Sequence, residues 1–189
     1  MRHASLIDHV EAFLGRIAAG WTKDIDGRAV EFQVVRHESD RFRGLLVLST
    51  LGLSNIPLKS ETTGKAIRHE LVLLVRDVPG ARGLVGVLQQ IGRRAIGSQS
   101  ALLRGDFIAP RSPLIAGSPL EGFFVSLPVF LPDAFAVHDP GGENIVFAWL
   151  VPISRSEAQF VSENGGGPFE DLLVERDPDL FDLERESLL

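Results

Sequence analysis

The sequence predicts an α/β (α+β) fold in which a mixed β-sheet is sandwiched by helices. Apolar runs rich in valine, leucine and phenylalanine alternate along the chain with segments whose apolar residues recur at helical spacing. Polar stretches with glycine or proline separate these segments, as is typical of turns and loops. The chain has 189 residues, of which 44% are hydrophobic and 23% charged, enough for the core of one domain. We therefore expect residues 1–189 to form a single domain.

The first element is a predicted helix over residues 5–19, inside an N-terminal segment of residues 1–20. Ser5 is a residue type favoured at the start of a helix, and Asp8 places an acid in the first turn. Gly20 lies just past the predicted end. The apolar residues recur at intervals of three and four and define one helix face: Leu6, Ile7, Val10, Phe13, Leu14, Ile17 and Ala18.

Five stretches rich in β-branched or aromatic residues predict strands. Four of them are bounded by turn residues and lie at residues 29–37, 44–54, 68–77 and 143–153. The third has a continuous apolar centre, which predicts burial on both faces of the sheet. The fifth lies within 118–133 and contains Pro128, which cannot donate to a sheet ladder and therefore indicates an edge or a strand end. Residues 54–65 are polar and predict a loop.

Three later segments predict helices. In residues 78–95 the apolar side chains share one helix face, although interior glycines each weaken the prediction by roughly 1 kcal/mol. Residues 156–164 form the second, which we expect the glycines at 165–167 to end. Residues 168–175 form a short third helix that starts at a proline, where proline is tolerated.

Ser154 and Glu157 have the spacing of a capping box at the start of the second of these helices. In that motif the serine hydroxyl accepts from a backbone N–H three residues on, and the glutamate reaches back to the serine N–H. This structural role explains Glu157 without chemistry. A carboxylate in a capping box can also face a pocket, so a ligand role for Glu157 stays open.

Composition and charge limit the classes of function. The absence of cysteine excludes disulfides and thiolate metal sites. The net charge of −6 arises from residues 170–189, which hold eight acidic and two basic residues, while the first 169 residues sum to zero. The sequence has no stripe of basic residues with interleaved aromatics, so we do not expect it to bind nucleic acid. The acidic tail at 176–189 is either a solvated terminus or a docking segment for a basic partner.

The sequence also predicts a cytoplasmic protein that does not act at a membrane. No apolar run approaches the roughly 18 residues that span a bilayer. The first residues have helical apolar spacing and lack the continuous core and cleavage site of a signal peptide.

Motifs for catalysis or cofactor binding are missing. There is no phosphate-binding loop of the Walker type, no dinucleotide-binding glycine motif and no nucleophile elbow, and the five histidines lack zinc-helix spacing. We therefore predict no enzyme, no cofactor and no metal site. Glu70 opens a strand that looks buried, and a buried acid needs a partner, for which Arg185 is a candidate by composition.

Several segments occur in an order that resembles the suppressor-of-fused (SUFU) domain family, in its short single-domain bacterial type. The resemblance covers residues 30 to 189, and its most specific parts are LGLS followed by proline, WLVPI followed by Glu157, and a D-L-x-R-x-S motif. The matching segments are STLGLSNIPL (49–58), HELVLLV (69–75), GFFVSLPVFLPD (122–133), VFAWLVPISRSEAQF (146–160) and FDLERESLL (181–189), the last with Asp182, Leu183, Arg185 and Ser187 in the motif.

This resemblance implies an α/β sandwich and a protein-binding function. The larger animal members carry a second domain and bind transcription factors, and this chain is too short for that domain. The short bacterial members look like immunity proteins that neutralise toxins, and the 16 arginines against 3 lysines favour a bacterial source. The expected activity is therefore that of a non-enzymatic immunity or antitoxin-type protein that binds a toxin partner directly.

Polar residues in the matching segments are the candidate protein-binding residues: Ser54, Asn55, Glu157, Asp182 and Arg185. We expect Ser54 and Asn55 to face solvent, since they follow a strand at the start of a loop. Asp182 and Arg185 are expected either to pin the tail by an ion pair or to contact the partner.

Two alternatives stay open from the sequence. In the first, Glu70, Glu157, Asp182 and Arg185 converge on one concavity and make a small-ligand-binding or hydrolytic site. In the second, the chain forms a homodimer, since twelve phenylalanines and two tryptophans are many for one core.

Overall fold

Nine strands form one mixed β-sheet in the computed structural model, which describes residues 5–24, 26–109 and 111–189. The strands are β1 (Arg16–Lys23), β2 (Ala29–Glu38), β3 (Leu45–Leu51), β4 (Leu58–Lys59), β5 (Ala66–Arg76), β6 (Phe107–Ile108), β7 (Leu120–Ser126), β8 (Val137–His138) and β9 (Ile145–Ser154). The helices of the described residues are α1 (Leu6–Leu14), α2 (Leu84–Ser98), α3 (Asp133–Ala136), α4 (Arg155–Asn164) and α5 (Gly166–Arg176).

The sheet runs in the order β1-β2-β3-β5-β9-β7-β6, with β4 beside β5 and β8 beside β9. β5 and β9 pair in parallel, and each of the other pairs is antiparallel. The central strands are apolar on both faces, which confirms the burial predicted for residues 68–77: His69 to Val75 are all buried. Pro128 lies two residues beyond the end of β7, as a strand-end proline should.

Helices cover both faces of the sheet, which confirms the predicted sandwich. On one face α2 packs through Leu84, Leu88 and Ile91 against alternate residues of β3, β5 and β9. On the other face α1 and α3 cover one end of the sheet, and α4 and α5 cover the other end around Trp149. Among the described residues no helix is both long and apolar enough to cross a membrane.

The helix predicted over residues 5–19 is wrong in its second half. α1 ends at Leu14, and residues 16–23 form the edge strand β1. Gly15 ends the helix with a positive φ of 97°, and a Cβ there would lie 2.4 Å from the backbone oxygen of Glu38. Ile17 and Ala18 fit a helix face as well as a strand, so only pairing with β2 decides between the two.

The boundaries of α2, α4 and α5 also differ from the prediction, and the strand predicted at residues 44–54 ends at Leu51, with the short strand β4 inside the loop predicted at 54–65. α2 begins at Leu84 rather than at residue 78, after a short 3-10 turn at Ala81–Gly83. Gly165 ends α4 as expected, but Gly166 and Gly167 already belong to α5. Gly166 packs on the backbone of Gly105, where a Cβ would come within 2.5 Å of the Gly105 Cα, so this glycine serves a close contact between backbones.

Candidate functional site

The first buried polar cluster surrounds Glu70, which is fully buried near the start of β5. Its carboxylate accepts hydrogen bonds from the Thr50 hydroxyl at 2.5 Å, the Gly52 N–H at 2.9 Å, and both the N–H and hydroxyl of Ser54 at 3.0 and 2.6 Å. Burial raises the pKa of Glu70, and these hydrogen bonds offset the effect only in part. The cluster thus ties the turn after β3 to β5.

Arg185, the candidate partner for Glu70 by composition, does not lie beside it. Arg185 lies at the other end of the sheet, and the donors to Glu70 are hydroxyls and backbone N–H groups. Ser54 is also not solvent-facing, because its side chain points at Glu70 and is buried, whereas Asn55 is exposed. Arg68 fixes the same turn from outside by donating to the carbonyls of Ser54 and Asn55.

The second cluster surrounds Glu157, which forms the predicted capping box with Ser154. The Ser154 N–H donates to Glu157 Oε2 at 2.8 Å, and the Glu157 N–H donates to the Ser154 hydroxyl at 3.2 Å. The same carboxylate is fully buried and binds Arg185 through two parallel bonds of 2.7 and 2.9 Å. The Leu188 N–H donates to Glu157 Oε1 at 3.0 Å.

Arg185 pins the tail, but through Glu157 rather than Asp182. Its guanidinium also donates to the carbonyl of Pro152 at the end of β9. Asp182 accepts from the Glu184 N–H and so shapes the turn that brings Arg185 inward. Leu183 is buried in the main core, so the tail is packed on the domain, while its acidic side chains at Asp177, Asp179, Glu184 and Glu186 are exposed.

These clusters do not form one pocket. Glu70 pairs in register with Phe147, which lies seven residues before Ser154 on β9, so about 20 Å of strand separates the two buried carboxylates. Each carboxylate is saturated by internal donors, and no group of three or more potential metal ligands occurs in the described residues. The convergent small-ligand or hydrolytic site proposed from the sequence is therefore wrong.

A groove of about 430 Å³ lies elsewhere, between α2, residues 108–109 and 111–114, and the start of β7. Its floor is apolar, with Ile91 and Phe123 buried and Leu114 half-buried. Gln90 and three exposed arginines form its rim: Arg93, Arg94 and Arg111. The volume is that of an ordinary binding site, and an apolar floor with a few polar groups is typical of one.

The rim of the groove carries positively charged side chains, whereas the whole chain has a net charge of −6. Arg93 pairs with Asp24 at 2.8 Å, and the carboxylate of Glu121 pairs with Arg155 at 2.8 Å. Within the described part of the chain, no carboxylate lies within ion-pairing distance of Arg94 or Arg111. Two cations therefore remain to receive an anionic group.

Sequence reasoning did not identify this groove, because its residues come from three separate segments. The adjacent Arg93 and Arg94 on an otherwise apolar helix were the local signal. Two arginines on the outer side of a helix normally indicate a solvated face, and only the placement of residues 111–114 beside α2 makes them part of a rim.

Comparison with known proteins gives consistent matches. The model of the suppressor of fused protein (SUFU) family matches residues 28–186. A relative from Bacillus subtilis strain 168, Immunity protein YqcF, is 24% identical over 147 residues, which is 77% of this chain and 76% of the relative.

Solved structures share the fold. A SUFU homologue from Neisseria gonorrhoeae superposes with a TM-score of 0.76 at 19% identity, over 96% of this chain and 93% of the other. A Sufu–Fu complex gives 0.67 at 16% identity, over 97% and 90%. Drosophila Suppressor of Fused gives 0.60 at 17% identity, and the match spans 83% of this chain but only 42% of that protein. Because the family model matches residues 28–186, which is most of the chain, the chain belongs to the suppressor of fused protein (SUFU) family.

Proposed function

We propose that this chain is an immunity protein, a non-enzymatic antitoxin-type domain of the bacterial cytoplasm that binds a toxin and neutralises it. The observation that carries the proposal is the alignment of 147 residues with Immunity protein YqcF, which spans about three quarters of both chains. The saturated carboxylates of Glu70 and Glu157 support a role without catalysis, cofactor or metal, because a reactive acid needs a face open to substrate.

The arginine-rimmed groove is the surface that we propose for the toxin. Burial of an apolar side chain of the partner on the floor of the groove favours binding. The unpaired guanidinium groups of Arg94 and Arg111 complement a carboxylate next to that side chain in the partner. The matching partner segment carries an aliphatic or aromatic residue next to an aspartate or glutamate.

The residues that we singled out in the sequence have a divided role in this proposal. Asn55 is exposed and Asp182 half-buried, and these two are retained as direct contacts. Ser54, Glu157 and Arg185 are buried, so we propose that they act by holding the turn after β3 and the tail in place.

The test begins with capture of the partner by the tagged protein from its own host. The candidate toxin domain is then purified, its binding to this protein is measured, and its toxicity is compared with and without co-expression of this protein. The groove variant R94E/R111E reverses two charges on the rim. The control R43E/R82E reverses two charges at exposed sites outside the groove, where the arginine side chains are 84% and 78% exposed.

We expect the groove variant to weaken toxin binding at least tenfold and to lose protection, while the control stays within twofold of the wild type. Tenfold corresponds to about 1.4 kcal/mol, the size of one rim charge pair that is partly desolvated. A toxin that binds both variants equally would refute the groove as the interface. Host cells that survive the toxin without this protein would refute the immunity function itself.

A further inference from the structure

The walls of the groove beside α2 are held in place by the main core. The Leu114 N–H donates to the carbonyl oxygen of Leu120 at 2.9 Å, and the next residue, Ile115, is buried in the core. On the opposite wall Ile91 of α2 and Phe123 of β7 are buried in the same core. Because the fold fixes these walls, a ligand that enters the groove needs to order little of the protein.

The cations of the rim are not neutralised by the protein. Arg93 is paired with Asp24 at 2.8 Å, whereas Arg94 and Arg111 are exposed and have no carboxylate within ion-pairing distance among the described residues. A guanidinium group binds a carboxylate through two parallel hydrogen bonds, which an alcohol or an amine does not reproduce. The rim therefore favours a ligand with an anionic head group.

The carboxylate that lines the groove does not oppose such a ligand. The register of β7 against β9 shifts between Leu120 and Gly122, so Glu121 is an extra residue in the strand. Its carboxylate is paired with Arg155, the first residue of α4, at 2.8 Å. With Arg93 and Glu121 both paired, the charge left in the groove is that of two arginines.

The volume and the lining of the groove set the size of the ligand. Beside the buried Ile91 and Phe123, three half-buried aliphatic residues line it: Val87, Ile108 and Leu114. A volume of about 430 Å³ lies in the range of small-molecule sites and accepts an apolar group of roughly ten carbon atoms. The ligand that fits is thus a small acid with one ring or a short alkyl chain.

A second cavity, of about 670 Å³, has the opposite charge. Residues 60–63, 100–107 and 161–162 line it. Its cation Arg104 is bound by Glu170 at 2.6 Å, whereas Glu61 and Asp106 have no ion-pair partner in the part of the chain that the structure describes. A negative ligand is therefore expected in the groove and not in this cavity, which provides an internal reference.

We propose that the groove is a binding site for a small amphipathic carboxylate. Its apolar part lies against Ile91 and Phe123, and its carboxylate is bound by Arg94 and Arg111. A free ligand of this kind goes beyond the toxin contact proposed above, and its binding is measured without any toxin.

An NMR titration with four probes tests the site. Phenylbutyrate has the ring, the chain and the charge; phenylbutanol lacks the charge, phenylbutylamine reverses it, and acetate lacks the apolar part. We expect phenylbutyrate to shift the amide signals of residues 87–94, 111–114 and 121–123 with one Kd of about 1 mM, which is typical of a ligand of this size. The signals of residues 60–63 and 100–107 should stay unchanged. We expect the three other probes to bind at least about fivefold more weakly. Equal binding of phenylbutyrate and phenylbutanol, or shifts confined to other residues, would overturn the proposal.

Two variants test whether the rim arginines supply the charge. We expect R94E/R111E to bind phenylbutyrate at least tenfold more weakly than the wild type and phenylbutylamine more tightly. R43E/R82E changes the net charge equally outside the groove, and its affinity for phenylbutyrate should stay within twofold of the wild type. Equal losses in both variants would assign the effect to net charge and overturn the proposal.

The fold of the variants and the independence from the toxin are checked separately. Unchanged amide signals of β3 show that a variant is folded, and R94Q/R111Q, with the same expected loss, replaces R94E/R111E if the latter is not. If the wild type binds the toxin through the groove but does not bind phenylbutyrate, the toxin contact stands and this inference alone is overturned.

Discussion

Removing the Arg185 side chain tests whether the buried ion pair holds the tail. In the variant R185M the carboxylate of Glu157, which is fully buried, keeps only the N–H groups of Ser154 and Leu188 as donors. Breaking a buried pair by removing one partner costs about 3–5 kcal/mol, because an uncompensated charge remains. The two remaining donors place the expected loss at the lower end, about 3 kcal/mol.

The reason for so large an effect is the geometry of the pair. Arg185 makes two bonds to Glu157 and one each to the carbonyls of Pro152 and Glu186, of 2.7 to 3.0 Å. E157Q removes the charge from the other side, so the loss in the double variant should be smaller than the sum of the two single losses by at least about 1 kcal/mol.

Urea unfolding at pH 7 gives the free energy of unfolding of each variant. An unchanged slope of this free energy against urea concentration shows that the variants unfold in the same way. The matched control is R76M, which breaks the exposed tail pair Arg76–Asp179, whose side chains are 55% and 40% exposed. We expect that control to cost at most about 1 kcal/mol. A loss below 1 kcal/mol for R185M, or additive losses in the double variant, would refute the role of the Arg185–Glu157 ion pair in holding the tail.

Three further predictions follow from single positions. Burial lowers the pKa of His69 to about 4, so this histidine alone lowers the free energy of unfolding by about 2 kcal/mol between pH 7.5 and 5. In urea unfolding, the loss of stability over this pH range should be smaller by about that amount in H69L than in the wild type. A Cβ at Gly92 would lie 2.3 Å from the ring of Phe32, so G92A should lower the free energy of unfolding by about 1–3 kcal/mol. Gly86 on the same helix has open space around it, so G86A should raise that free energy by up to about 1 kcal/mol. Equal effects of the two variants in urea unfolding would contradict the close packing at Gly92. The chain should unfold in one calorimetric transition as one domain, and light scattering should give a monomer of 20.6 kDa rather than a homodimer; two transitions or twice the mass would contradict these expectations.

Local patterns determined most of the architecture. Alternating apolar runs and helical spacing predicted the sandwich, the buried strand β5 and the helix that follows β9. The capping box of Ser154 and Glu157 was readable because both partners lie within three residues, so its hydrogen bonds depend on helix geometry alone. The order of the family motifs predicted the family that the residues 28–186 then matched.

Pairings between distant segments were decided by the tertiary structure. A single sequence shows that Glu70 and Glu157 are acids near buried strands, but it does not show which donors reach them. Arg185 binds Glu157 because the tail crosses the end of β9. Glu70 accepts hydrogen bonds from the turn after β3 because β3 and β5 are neighbours in the sheet.

The same limit explains the strand β1 and the groove. Residues 16–23 became a strand because the edge of β2 offered backbone partners to a segment without a strong preference of its own. The groove exists because residues 108–109 and 111–114 lie beside α2. Short-range geometry is encoded in the spacing of neighbouring residues, whereas contacts between distant segments depend on the free energy of the whole packed chain.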